Sequence, residues 1–189
     1  MKRQEVFIMV LLLAAIAGGC SGQSAVLQEE NDQLAAELAG LEQRAAELET
    51  ELHTAQQDLD RVANTEELLR EWQAAIEALD LERTMTFYAG DATYEDPAQI
   101  NTMYPAVMKG HQIRGLYHDI YSLPEVSFEF ASFIVSADGS KAVAEWVWRG
   151  EHFTTGVEYT IRGVSLLEIQ DGKIMREVII YDTRNSPYG

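Results

Sequence analysis

A-V-A-E-W-V-W-R-G, residues 142–150, is the stretch on which the fold turns. Trp146 and Trp148 stand two apart and share one face; Val143, Glu145, Val147 and Arg149 take the other. A repeat of two is a β-strand with unlike faces, because successive side chains of a strand point to opposite sides. Turn residues bound it, Asp138-Gly139 before and Gly150 after. Similar runs surround it at Val126 to Ser136, Val157 to Ile169 and Ile174 to Tyr181, with Asp171-Gly172 between the last two. An Asp-Gly pair between two alternating runs is a hairpin signal. From Pro124 onward the chain therefore reads as an antiparallel meander.

Upstream the period changes. Thr65 to Leu79 reads as an amphipathic helix, Leu81 to Ala89 as a shorter one, and His111 to Tyr121 as a third. A short strand, Ala92 to Asp96, is stopped by Pro97. Helices first and strands after is an α+β plan, in which about three helices cover one face of a curved, mainly antiparallel sheet. Residues 65–189 are 125 in number, the size of one domain with its own core.

Before this domain lies a different pattern. Residues 24–62 contain no proline, and Gly40 is the only glycine. Leu27, Leu34, Leu41, Leu48, Ala55 and Val62 fall on heptad position d, with Asn31, Leu38, Ala45, Leu52 and Leu59 on a. This predicts a long helix with a coiled-coil seam, and Asn31 at a is a register-fixing residue. Glu30, Glu37, Glu42, Glu49, Glu51 and Asp58 occupy e and g with only Arg44 to balance them, which weakens self-pairing. A homo-oligomer, dimer or trimer, is expected; a single amphipathic helix packed on a partner is the alternative. Thirty-six helical residues would span about 54 Å. Asn64-Thr65-Glu66-Glu67 reads as a fresh helix start, although the helix can equally run through.

The first residues are a targeting segment. Lys2 and Arg3 precede an apolar run of 12 residues, Val6 to Ala17, too short for a mature span of about 20 residues. I-A-G-G-C (16–20) resembles the lipobox of bacterial lipoproteins. That resemblance implies removal of residues 1–19, lipidation of Cys20, and a stalk over 20–64. Ser21 after the cysteine implies the outer membrane, facing the periplasm, in a Gram-negative host. A plain secretory signal is the other reading. Cys20 is the only cysteine, so a disulfide within the chain is excluded. Loss of Lys2, Arg3 and Glu5 moves the net charge from −17 to −18, which repels phosphates and argues against nucleic acid.

Within 65–189, six segments in order resemble the SnoaL-like polyketide cyclase and ketosteroid isomerase branch of the nuclear transport factor 2-like superfamily. They are W-Q-A-A-I-E-A-L-D (72–80), Y-A-G-D-A-T-Y-E-D-P (88–97), K-G-H-Q-I (109–113), L-P-E-V-S-F-E (123–129), D-G-K-I (171–174) and Y-D (181–182). The resemblance implies a cone-shaped fold with a deep apolar pocket. In ketosteroid isomerases the Asp of a matching E-D-P moves a proton between two carbons, so it implies Asp96 as base. In the polyketide cyclases the acid/base Asp lies near the end of the last strand, which matches Asp182. The family's Tyr and neutral Asp donors align with Trp72 and Ser165, which are weaker acids but still hydrogen-bond donors.

A small apolar ligand would meet Tyr88, Tyr94, Trp146, Trp148 and Tyr181, with His111 at the rim. A packed core, or a dimer face across the sheet, explains the tryptophans equally. Two carboxylates at strand ends, Asp96 and Asp182, can equally face water. His111 and His118 with Asp119 lack the spacing of a metal motif, so neither a metal nor a cofactor is expected. The rival to an isomerase-like or cyclase-like enzyme is a non-catalytic binding or interaction module.

Overall fold

The computed structural model describes residues 21–98, 104–152 and 154–182, with the side chains of 21–25 excluded. The signal segment, Cys20 and the tail from Thr183 lie outside these residues. Two compact units divide the chain between His53 and Thr54.

In the first unit the described residues form one helix, part of α1 (Ser21–Glu77). No proline or cap interrupts α1 at Asn64, so the fresh start read there does not occur. In the second unit the rest of α1 is followed by α2 (Leu81–Thr86), β1 (Tyr88–Glu95), β2 (Val107–Lys109), α3 (His111–Tyr121), β3 (Ser127–Val135), β4 (Lys141–Glu151), β5 (Glu158–Gln170) and β6 (Lys173–Tyr181). One six-stranded sheet runs β2-β1-β6-β5-β4-β3. Only the β1–β6 pair is parallel. The expected α+β plan holds, as a mixed sheet. Two details differ: β2, three residues long, was not read, and Tyr88-Ala89 begins β1 instead of closing α2.

Local chemistry explains the corners. α1 ends in a Schellman motif: Asp80 N–H bonds Ala75 O at 3.0 Å, Leu79 N–H bonds Ile76 O at 2.9 Å, and Leu79 takes φ 54°. Asp80 then caps α2, its carboxylate accepting from Arg83 N at 3.0 Å. Asp171 and Gly172, at φ 51° and 69°, join β5 to β6 in a two-residue turn with the twist a hairpin needs. At the β3–β4 turn the Asp138 carboxylate accepts from Ser136 and from Ser140, which holds it below the usual carboxylate range.

The end of α1 lies on the sheet's inner face. Leu69, Trp72, Ala75 and Ile76 recur at helical spacing and are buried. The Trp72 ring meets Phe130 of β3 at 5.2 Å, and Thr65 Oγ1 donates to Gly139 O at 2.8 Å. Each large apolar side chain buried here contributes about 1.5–3 kcal/mol.

Candidate functional site

Strand alternation divides the two acids of E-D-P. Glu95 is on the outer face, where Arg176 of β6 donates to it at 2.7 and 3.1 Å and also reaches Glu168 at 3.0 Å. The guanidinium holds the Glu95 carboxyl below its ordinary value. Asp96 falls on the inner face. The Tyr181 hydroxyl donates to its two oxygens at 2.8 and 3.0 Å, and Ala98 N–H to Oδ1 at 3.2 Å. The last bond is an Asx turn entering the Pro97 loop. Asp96 is thus half-buried on the inner side of the sheet, oriented by a phenol.

The Tyr181 ring continues into an aromatic wall. Trp146 lies 6.3 Å from it, and Trp148 stacks on Phe128 at 5.9 Å and meets Tyr159 edge-on at 5.4 Å. Ile161 and Ile179 fill between them. Two glycines make room. A Cβ on Gly163 would stand 2.5 Å from the Trp146 ring, and one on Gly150 2.5 Å from the Tyr159 hydroxyl. The Trp148 indole N–H is buried without a hydrogen-bond partner. A buried unmet donor in an apolar wall is costly, and is the group a carbonyl oxygen would satisfy.

Deeper on the same face is a group that the sequence reading missed. Glu177 of β6 is 2 % exposed. The Tyr88 hydroxyl donates to Oε2, with the Tyr117 hydroxyl 3.4 Å from the same oxygen, and Ser165 Oγ donates to Oε1 at 2.6 Å. Two of these hydroxyls have an indole behind them: Trp72 Nε1 donates to Tyr88 Oη at 3.3 Å, and Trp146 Nε1 to Ser165 Oγ at 3.0 Å. Burial raises the Glu177 carboxyl above its ordinary value, against the lowering pull of Ser165, Tyr88 and Tyr117. Burial, followed by the Glu177 charge, pushes Tyr88, Tyr117 and Tyr94 well above the ordinary phenol value. The signal was present: counting back by two from Tyr181 along β6 gives Ile179 and then Glu177 on the inner face.

The residues named from sequence therefore separate. Asp96, Tyr181, Trp146 and Trp148 share the wall. Trp72, Tyr88 and Tyr94 belong to the core around Glu177, and the Trp72 N–H is spent on Tyr88. His111 is exposed at the first turn of α3. Asp182 continues the ladder through its N–H to Arg162 O at 3.0 Å, and strand alternation puts it on the side opposite Tyr181. His118 Nδ1 is 3.2 Å from Asp119, which also accepts from Tyr104 at 2.6 Å. Among the described residues no group of three or more metal-capable side chains converges.

A family model described as a SnoaL-like domain matches residues 69–177. No curated protein matches the chain. Among solved structures, a candidate polyketide cyclase of Xanthomonas campestris is 16 % identical, covers 68 % of this chain and 99 % of that one, and superposes with a TM-score of 0.57. A candidate isomerase of Bacillus subtilis is 23 % identical over 66 % and 88 % of the two chains, with a TM-score of 0.54. The epoxide hydrolase/cyclase-like enzyme SalBIII of polyether salinomycin is 17 % identical over 68 % and 96 %, with a TM-score of 0.55. At these identities the likeness is one of fold.

Proposed function

We propose that this chain, which belongs to the SnoaL-like domain family, binds a small apolar carbonyl compound on the aromatic inner face of its sheet and moves a proton on it, with Asp96 as the base. The observation that carries this reading is the double contact of Tyr181 with Asp96 beside Trp146. It sets a carboxylate, with its lone pairs directed by a phenol, next to an apolar wall able to exclude water. A flat ring lying on Trp146 and Trp148, with the Trp148 indole turning to open its buried N–H, would set its carbonyl oxygen against that donor, which would stabilise the negative charge on the oxygen as an α-proton leaves. A positioned base of this kind contributes about 10²- to 10⁴-fold in rate. The neighbours named as isomerase and cyclases lend the reading their chemistry by fold alone.

The sequence around Cys20 supports a lipid-anchored protein of the cell envelope, the outer membrane in a Gram-negative host, with the domain working in the periplasm. A second reading, a binding module without catalysis, is supported by the N–H groups of Trp72 and Trp146 being spent on Tyr88 and Ser165, which leaves Trp148 as the one unspent indole donor. The two are separated by exchange of the α-protons of cyclic ketones in D₂O, followed by proton NMR. The enzyme reading expects exchange above buffer that falls at least about 100-fold in Asp96→Asn, with ligand affinity and unfolding free energy held. Binding without exchange selects the module.

A further inference from the structure

The first unit leaves its apolar stripe bare. Leu27, Leu34, Leu38, Leu41, Leu48 and Leu52 are 48–71 % exposed, all on heptad positions a and d of α1. A stripe two residues wide per heptad is the width of a coiled-coil seam and is narrower than the face a globular core covers. Its charged edges specify the occupant. In a parallel, in-register pair each g residue meets the e residue five positions on in the other copy. Arg44 at g then meets Glu49, while Glu30 meets Ala35 and Glu51 meets Gln56. Glu37 against Glu42 is the one like-charged pair over this stretch. The abundance of acids at e and g thus gives a single like-charged contact, set against one of opposite sign, with Glu30 and Glu51 facing uncharged residues.

Arg44 makes no ion pair within its own chain among the described residues, although acids surround it in sequence. An antiparallel pair would set e against e and g against g, so that Arg44 could no longer meet Glu49. It would also face Asn31 with a leucine, whereas in the parallel pair the two Asn31 amides meet each other. We propose that residues 27–52 pair, parallel and in register, with the same segment of a second copy as a two-stranded coiled coil pinned by reciprocal Arg44–Glu49 contacts. This pairing is independent of the chemistry at Asp96.

Sedimentation equilibrium of the full-length chain in density-matched detergent tests it. The expected mass is that of two chains; one chain or three overturns the proposal. Arg44→Glu turns both reciprocal contacts repulsive and is expected to weaken dimerisation about tenfold, with recovery when Glu49→Arg is added. A double variant no tighter than Arg44→Glu overturns the pairing. In a chain carrying Cys20→Ser, Leu34→Cys is expected to form a disulfide with its own copy on mild oxidation. Bridging only in mixtures of Leu34→Cys and Ala45→Cys chains would establish the antiparallel arrangement instead.

Discussion

Ser165 Oγ lies 2.6 Å from Glu177 Oε1 and 3.0 Å from Trp146 Nε1, so one hydroxyl passes an indole's hydrogen bond on to a buried carboxylate. Tyr88 does the same on the other oxygen, with Trp72 behind it. The two arms converge on Glu177 with every donor pointing inward. Trp146 belongs to this network and to the aromatic wall at once. The core carboxylate therefore helps to fix the wall's geometry.

Ser165→Ala strips one arm. It leaves Glu177 Oε1 and the Trp146 N–H both unmet in the interior, and a buried unmet group costs about 1–3 kcal/mol. Denaturant unfolding near neutral pH is expected to show a loss of that size.

Glu177 gives the fold a pH dependence of definite sign. Its carboxyl is raised above the ordinary 4.5 by burial, so the folded state holds the proton more tightly than the unfolded chain. Its contribution is fully present below the unfolded value and is lost as pH rises through the folded one. Glu177→Gln removes that slope. It also places an amide N–H₂ against donors, which costs about 1–3 kcal/mol. Unfolding measured across the acid-to-neutral range should show the gap between wild type and Glu177→Gln narrowing as pH rises; a constant gap would contradict the assignment.

Gly163→Ala tests how closely Trp146 lies on the sheet. The added methyl would sit 2.5 Å from the indole ring and 2.8 Å from Ile180 O, a backbone atom that cannot swing aside. Overpacking of this kind costs about 1–3 kcal/mol. A shifted Trp146 fluorescence should accompany a lower unfolding midpoint.

Gly172→Ala probes backbone conformation alone. A Cβ there meets nothing within 4 Å, but φ is 69°. The left-handed region costs a residue with a Cβ about 1–2 kcal/mol. Thermal unfolding should register that loss without any change in the ligand wall.

Much of this architecture was legible because it rests on period. Alternation at Trp146 and Trp148 gave the strand and its face, and Asp171-Gly172 gave the turn between β5 and β6. The long helix α1 was legible for the same reason. What escaped was not periodic. Alternation places Glu177 on the inner face with Ile179 and Tyr181, but no local rule says that partners will meet its carboxylate there. The partners that hold it, Tyr88, Tyr117 and Ser165, come from β1, α3 and β5 and meet only when the sheet curves around the helices. Trp72 illustrates the same limit: its place in the first-helix pattern suggested a donor to a ligand, and packing gives that donor to Tyr88 instead. β2 is too short for alternation to register. At Asn64 a good cap residue left a fresh start and an unbroken helix both open, and the helix runs through, with Thr65 bonded to Gly139 O.

The most direct test of the central claim, that the aromatic face around Asp96 is the ligand site, uses the chain's three tryptophans. Each indole N–H gives its own proton–nitrogen correlation, and the three lie in different places: Trp72 in the core, Trp146 bridging core and wall, Trp148 unmet in the wall. The chain is titrated with a panel of flat cyclic ketones and quinones. The account predicts a saturable shift that is largest at Trp148, present at Trp146 and absent at Trp72, and weakened in Tyr181→Phe. Signals that stay fixed across the panel, or a shift confined to Trp72, would contradict it.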